Sequence, residues 1–272
     1  MGRCRHACRG RDAVSEYVRT PDGALLAVRQ GGPVGAPALL LLPGQANSMR
    51  WWDGLRGQFE HAYRTVTFDY RGTGDTCAEV DDWSTAMFAE DAAHVMAELG
   101  HEGYRVYGTS MGGRVAQHLA AQERRRVEKL VLACTSPGGP LAVERSSEVR
   151  RVLASRTSPE RTERVLRFFY TDDWPGRARD SLLLGDQTMT PAAGLAHLRA
   201  SYGHDAWSSL PDITAPTLIL HGTGDPMVPA ENAELLDSAI LDSRLVFHEG
   251  GRHGFFDEFA DDLRPLILDF LG

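Results

Sequence analysis

The stretch VYGTSMGGR, Val106 to Arg114, sets one serine between small residues, where an apolar run ends and a helical pattern begins. Gly108, Gly112 and Gly113 weaken strand and helix alike, so their presence needs a reason. A tight strand-turn-helix corner supplies one: a residue held there is strained, and its neighbours must be nearly free of side chain for the backbones to pass. Such a corner presents Ser110 as a nucleophile. A glycine-rich turn without chemistry satisfies the same pattern, G-x-S-x-G, so the rest of the chain has to decide.

On the N-terminal side, SEYVRT, ALLAVRQ and ALLLLPG read as three short strands separated by the turns PDG and GGPVGAP. SMRWWDGLRGQF follows, with Trp51, Leu55 and Phe59 at helical spacing, and then the strand YRTVTFDY, which ends in RGTGDT. In DWSTAMFAEDAAHVMAELG, the residues Phe88, Ala92, Val95, Met96 and Leu99 make one helical stripe and Gly100 is placed to cap it. YRVYG then leads into Ser110. Beyond it come the helix GGRVAQHLAAQERRR and the strand VEKLVLAC. Strands alternating with helices of this length imply a parallel sheet covered on both faces.

From Thr135 the rhythm breaks. Residues 137–210 hold helix-like segments, LAVERSSEVRRVLAS and PERTERVLRFFY, but no convincing strand. The rhythm returns with APTLILHGTGDP, the helix PAENAELLDSAI, the strand SRLVFHEGG and a final helix, FDEFADDLRPLILDFL. The expected organisation is a basic disordered tail over residues 1–14, an α/β core in two parts, 15–136 and 213–272, and a helical insertion over 137–212.

Composition limits the functional classes. The 272 residues carry 29 basic and 37 acidic side chains, a net charge of −8, which disfavours nucleic acid or an anionic membrane as the main partner. Lys129 is the sole lysine. No apolar run approaches the roughly 20 residues of a membrane span, and the basic start MGRCRHACRGRDAV is followed by no apolar stretch of a secretory signal. Cys4, Cys8, Cys77 and Cys134 have neither metal-ligand nor disulfide-framework spacing, so free thiols and a cytoplasmic setting are expected. The chain is expected to be a monomer or homodimer.

In open parallel sheets ligands bind at the carboxyl ends of the strands. Four such ends carry informative residues: Gly44-Gln45, Ser110, Asp225 after TLILHGTG, and His253 after LVFHEGGR. Acyl transfer needs a nucleophile, a base to take its proton and a carboxylate to orient that base. Asp225 also suits the start of a plain turn in GDP, although its place after the penultimate strand favours the acid role. His253, between Gly251 and Gly254, is free to reach Ser110, whereas His221 and His248 lie at strand ends and are expected to be hydrogen-bonded structural residues. His221 and Asp225 lack a third ligand at metal-site spacing, so no metal is expected.

G-x-S-x-G, FDYRGTGDT, PTLILHGTGDPMVP and GGRHGFF together make the chain resemble α/β-hydrolase-fold enzymes, in the group of small esterases, lactonases and cofactor-free haloperoxidases. The resemblance spans nearly everything from Ser15 to Gly272. It implies a mostly parallel eight-stranded sheet with helices on both faces and a helical cap. It also implies Ser110, Asp225 and His253 as the catalytic residues, with no cofactor. The order Ser, Asp, His is that of the fold. Where many relatives have His-Gly at the oxyanion loop this chain has Pro43-Gly44; the implied donors are the backbone N–H groups of Gln45 and Met111.

The implied activity is hydrolysis of a small or medium carboxylic ester or lactone. Trp51, Phe168, Phe169, Tyr170, Trp174, Met227 and Val228 are candidate pocket residues, although the insertion's aromatics serve equally as its own core. An acyltransferase or perhydrolase would use the same acyl-enzyme, and a slow-turnover ligand receptor would keep the same triad. Carbon–carbon hydrolases of the fold typically carry Trp after the catalytic histidine, where this chain has Gly254.

Overall fold

The computed structural model describes residues 16–272; the tail expected over 1–14 lies outside the described residues. Eight strands form one sheet: β1 (Glu16–Arg19), β2 (Leu25–Gly31), β3 (Ala38–Leu42), β4 (Arg64–Phe68), β5 (Tyr104–Thr109), β6 (Val127–Ala133), β7 (Thr217–Gly222) and β8 (Ser243–His248). Their spatial order is β1-β2-β4-β3-β5-β6-β7-β8. The pairs β1–β2 and β2–β4 are antiparallel, and every other pair is parallel. Chain direction across the sheet reverses between β3 and β5, so the loops leaving these neighbours diverge and open a crevice at their carboxyl ends.

The central strands are continuous apolar runs because both faces are covered. Leu40 and Leu42 of β3, Val106 of β5 and Leu130 and Leu132 of β6 pack on one face with α1 (Thr85–Glu98) and α2 (Met111–Gln122). The alternate residues Leu39, Leu41, Tyr107, Val131 and Ala133 pack on the other, with Trp51, Trp52 and the C-terminal helices. The side chain of Ser84 caps α1 by accepting from Met87 N at 3.0 Å. Gly100 ends that helix at φ +77°, where its N–H reaches Ala97 O and the next N–H, of His101, reaches Met96 O.

The insertion contains α3 (Ser147–Ala154), α4 (Pro159–Phe169) and α5 (Pro191–Tyr202). Each starts behind a Ser or Thr whose side chain accepts a first-turn N–H, and α4 and α5 have proline at the tolerated first position. Helix α5 is one the sequence reading left unassigned. After β7 and β8 follow α6 (Glu231–Ala239), α7 (Phe255–Glu258) and α8 (Ala260–Leu271). The single helix expected at the C-terminus is therefore two, broken at Phe259.

Two other expectations need correction. SMRWWDGLRGQF is not an α-helix but two 3-10 turns, Met49–Trp52 and Arg56–Gln58. Gly54 and Gly57 interrupt it, and burial of the adjacent Trp51 and Trp52 fixes the segment by packing rather than by helical periodicity. Cys134 is a buried free thiol as expected, but Cys77 is disulfide-bonded, which cysteine spacing alone does not report.

Candidate active site

Ser110 stands at the junction of β5 and α2 with φ +54° and ψ −120°, a backbone conformation that serine rarely adopts. Its N–H is tied to Ala133 O on β6 at 2.9 Å. The glycines around it make the junction possible. A Cβ on Gly108 would lie 2.4 Å from Gly112 O, one on Gly112 2.2 Å from Leu42 O, and one on Gly113 2.6 Å from the Thr135 side chain. Helix α2 thus approaches β3, β5 and β6 more closely than any side chain allows. Among the described residues two further non-glycine residues have positive φ, Ala46 at +57° and Cys134 at +44°, so strain gathers at the ends of β3, β5 and β6, where of order 1–3 kcal/mol is stored per residue.

The three residues expected to act together do converge. His253 Nε2 lies 3.0 Å from Ser110 Oγ, and His253 Nδ1 lies 2.7 Å from Asp225 Oδ2. Burial alone would raise the Asp225 carboxyl, but His253 and His221 beside it hold it well below the usual carboxylate range. An ionised Asp225 only accepts, so His253 carries its proton on Nδ1 and offers the Nε2 lone pair to the Ser110 hydroxyl. The other oxygen of Asp225 accepts from Met227 N at 2.7 Å and Val228 N at 2.9 Å. One Asp225 oxygen therefore closes the turn while the other faces the imidazole.

His221 is fully buried and donates from Nε2 to Val228 O at 2.9 Å, with the same nitrogen 3.5 Å from Asp225 Oδ2. His248 departs from expectation: it stacks on Phe259 at 4.2 Å and its Nδ1 has no hydrogen-bond partner among the described residues. Gly254 follows His253 because a Cβ there would lie 2.9 Å from Phe169 O of α4.

Gln45 and Met111 flank Ser110 from the ends of β3 and the start of α2. Met111 is the first residue of its helix, and an N–H in that position has no partner within the helix. The loop after Gly44 is held from several sides. Ala46 N donates to His197 Nδ1 at 3.3 Å, Asp186 N to Ala46 O at 2.8 Å, and Gly185 N to Asn47 Oδ1 at 3.1 Å. Gly44 lies against Trp51, whose ring a Cβ would meet at 2.5 Å, and Trp51 Nε1 donates to Thr109 Oγ1 at 2.9 Å. Trp51 thereby supports the Pro43-Gly44 loop.

A cavity of about 400 Å³ opens on Ser110 and His253, between the sheet and the insertion. Trp51, Phe169, Met227 and Val228 line it, together with Gln45 and Met111. Phe168, Tyr170 and Trp174 do not. Helix α4 turns Val165 and Phe169 toward the cavity, which rotates Phe168 away, while Tyr170 donates to Asp257 at 2.7 Å and stacks on Trp174 at 3.7 Å in a separate depression. Arg114 also lines the cavity and was missed. Its signal was its position four residues after Ser110, on the same face of a helix.

The chain matches the family described as alpha/beta hydrolase fold over residues 37–260 and belongs to it. Among its relatives, a putative carbamate hydrolase, RutD, of Yersinia enterocolitica is 26% identical over 87% of each chain. The human serine hydrolase BPHL is 28% identical over 92% of this chain and 84% of its own. A solved hydrolase from Pseudomonas aeruginosa superposes with a TM-score of 0.78 at 28% identity, covering 94% of this chain and 98% of its own. Among the described residues no helix is long and apolar enough to cross a membrane.

Proposed function

We propose that the protein is a serine hydrolase that cleaves a small or medium carboxylic ester or lactone through an acyl-enzyme on Ser110. The observation that carries this reading is the unbroken hydrogen-bond chain from Ser110 Oγ through His253 to Asp225, at a strained corner facing a cavity. Ser110 Oγ attacks the carbonyl carbon while His253 Nε2 takes its proton. The N–H groups of Gln45 and Met111 receive the developing oxyanion, worth about 3–4 kcal/mol per donor in other hydrolases. The carbon–oxygen bond to the alcohol then breaks as His253 returns the proton to it. Water repeats the sequence: His253 takes its proton, hydroxide adds to the acyl carbon, and the acid leaves as Ser110 is reprotonated. Asp225 keeps the imidazole in the required tautomer and stabilises its cationic form.

The insertion roofs the cavity in this reading. A carbamate, the substrate class named for the Yersinia relative, presents the same kind of carbonyl to the nucleophile and belongs in the substrate panel. The test is labelling with a fluorophosphonate followed by peptide mapping, with turnover of ethyl esters and lactones of increasing acyl size measured alongside. We expect one adduct, on Ser110, absent from Ser110→Ala, and sustained turnover. An adduct elsewhere would remove the assignment, and a burst without steady-state turnover would favour a ligand receptor.

A further inference from the structure

Among the described residues, Arg71 and Arg114 are both set deep in the molecule and are satisfied differently. Arg71 is satisfied by two carboxylates: its Nε and Nη2 lie 2.7 Å from Asp91, and Nη1 lies 2.5 Å from Asp22. Arg114 meets no carboxylate among the described residues. Its Nη1 donates to Ser201 O at 2.5 Å and Ser201 Oγ at 2.9 Å, and its Nη2 to Ser136 Oγ at 2.9 Å. Neutral oxygens thus aim the guanidinium without neutralising it, and the side chain, deep in the molecule, keeps part of its surface on the cavity wall. Burial and the nearby Arg145 lower its pKa to about 10, against the smaller opposing effect of Glu144, which still leaves it charged at neutral pH.

A buried charge without a counter-ion is costly and requires an explanation. The cavity deepens the anomaly. In a protein of net charge −8, four arginines line it, Arg114, Arg145, Arg150 and Arg161, against one acid, Glu144. Glu144 is already engaged by Arg150 at 3.5 Å, and Arg161 donates to the carbonyls of Val152 and Leu153. Arg114 and Arg145 remain for an anion. Arg114 and Ser110 line the same cavity, with Arg114 one helical turn further along the chain, so one small molecule can offer a carbonyl to Ser110 and a carboxylate to Arg114.

We propose that the substrate is an anionic ester or lactone, whose carboxylate is held by Arg114, with Arg145 adding charge, while its carbonyl sits on Ser110. The proposal rests on the hydrolase reading above and narrows it. A half-ester of a short dicarboxylic acid, or a lactone bearing a carboxylate arm, fits this spacing. Arg114 is then a specificity-determining residue, and Ser136 and Ser201 position it.

The experiment compares kcat/KM for monoethyl succinate, glutarate and adipate with that for ethyl pentanoate, hexanoate and heptanoate. At least one half-ester should exceed its neutral counterpart about tenfold or more. Arg114→Met should lower that anionic-to-neutral ratio about 10- to 100-fold, as loss of a charged hydrogen bond does, and Arg114→Lys should restore part of it. Equal loss on both substrate types would show a purely structural arginine. Independently of any variant, free glutarate or adipate should inhibit the wild-type enzyme at least tenfold more strongly than glutaramide or adipamide; equal inhibition would overturn the proposal. If Ser110 is labelled and neutral esters are cleaved without preference for the half-esters, the carboxylate inference alone fails. If Ser110 is not labelled and no ester of either kind is cleaved, the hydrolase reading fails and takes the inference with it.

Discussion

Asp225 supports His253 with one oxygen and its own turn with the other, and this division allows the two to be separated. In Asp225→Asn the amide can be oriented so that its oxygen still accepts from Met227 and Val228 N–H. Its NH2 then faces His253 Nδ1, which can no longer carry a proton there. The imidazole adopts the other tautomer and offers Ser110 an N–H in place of a lone pair. We expect kcat to fall by as much as ~10⁴ with KM little changed, by analogy with serine proteases. Steady-state kinetics on an ethyl ester that the wild type cleaves would check it, and a mere tenfold loss would refute the assigned role. At this scale the sequence was informative where backbone constraint leaves residues no alternative. Gly108, Gly112 and Gly113 announced a close approach, and the Cβ distances explain each of them. Arg114 was not legible, because an arginine on a helix looks the same whether its partners are carboxylates or neutral oxygens; only the packing shows which.

The element with the largest hidden role is α5. Its His197 is fully buried and bridges two loops, accepting from Ala46 N through Nδ1 and donating from Nε2 to Arg71 O at 2.8 Å. Burial lowers its pKa from the ordinary 6.5 to about 4, against the smaller opposing effect of the Arg71 carbonyl. The unfolded chain therefore takes up a proton below pH 6.5 that the folded protein refuses until about pH 4. A depressed pKa of this kind stabilises the fold above the unfolded value, and its contribution, up to about 3 kcal/mol, is lost as pH falls through that window. Thermal melts of wild type and His197→Gln at pH 7.5 and 4.5 should show the wild type losing more on acidification. Parallel losses would disprove the assignment. Helix α5 also shows why periodicity was a poor guide in the insertion. Its buried residues, Ala193, Ala196, His197, Ala200 and Ser201, do fall at helical spacing but are small or polar, while the larger Leu195 and Leu198 are exposed, so the apolar pattern is masked. The Met49–Gln58 region failed in the opposite sense: apolar positions fell at helical spacing by coincidence of packing, with Gly54 and Gly57 preventing the helix.

Across the whole molecule, the alternation of strands and helices made the core legible, since a parallel sheet requires crossover segments and central strands that are apolar on both faces. The reach of the insertion was not legible, because many of its ties run through main-chain groups. His253 N donates to Phe168 O at 3.0 Å and Gly254 N to Phe169 O at 2.7 Å, at the end of α4. Arg252 reaches the carbonyls of Arg167 and Tyr170 at 2.9 and 2.8 Å. Gly185, Asp186 and His197 hold the Ala46 loop from the other side. The insertion is therefore not an interchangeable part. Grafting residues 137–212 from a relative, to exchange one substrate range for another, would also replace the supports of the base and of the loop carrying Gln45. We expect such a chimera to fold around an intact sheet yet lose turnover of both parents' substrates, recovering when the 44–47 and 251–255 loops are transferred with the graft. Full activity from the insertion alone would show those ties to be dispensable. Divergence in this lineage should then proceed by co-inheritance of three separated segments, so that a new specificity arrives together with a re-seated histidine.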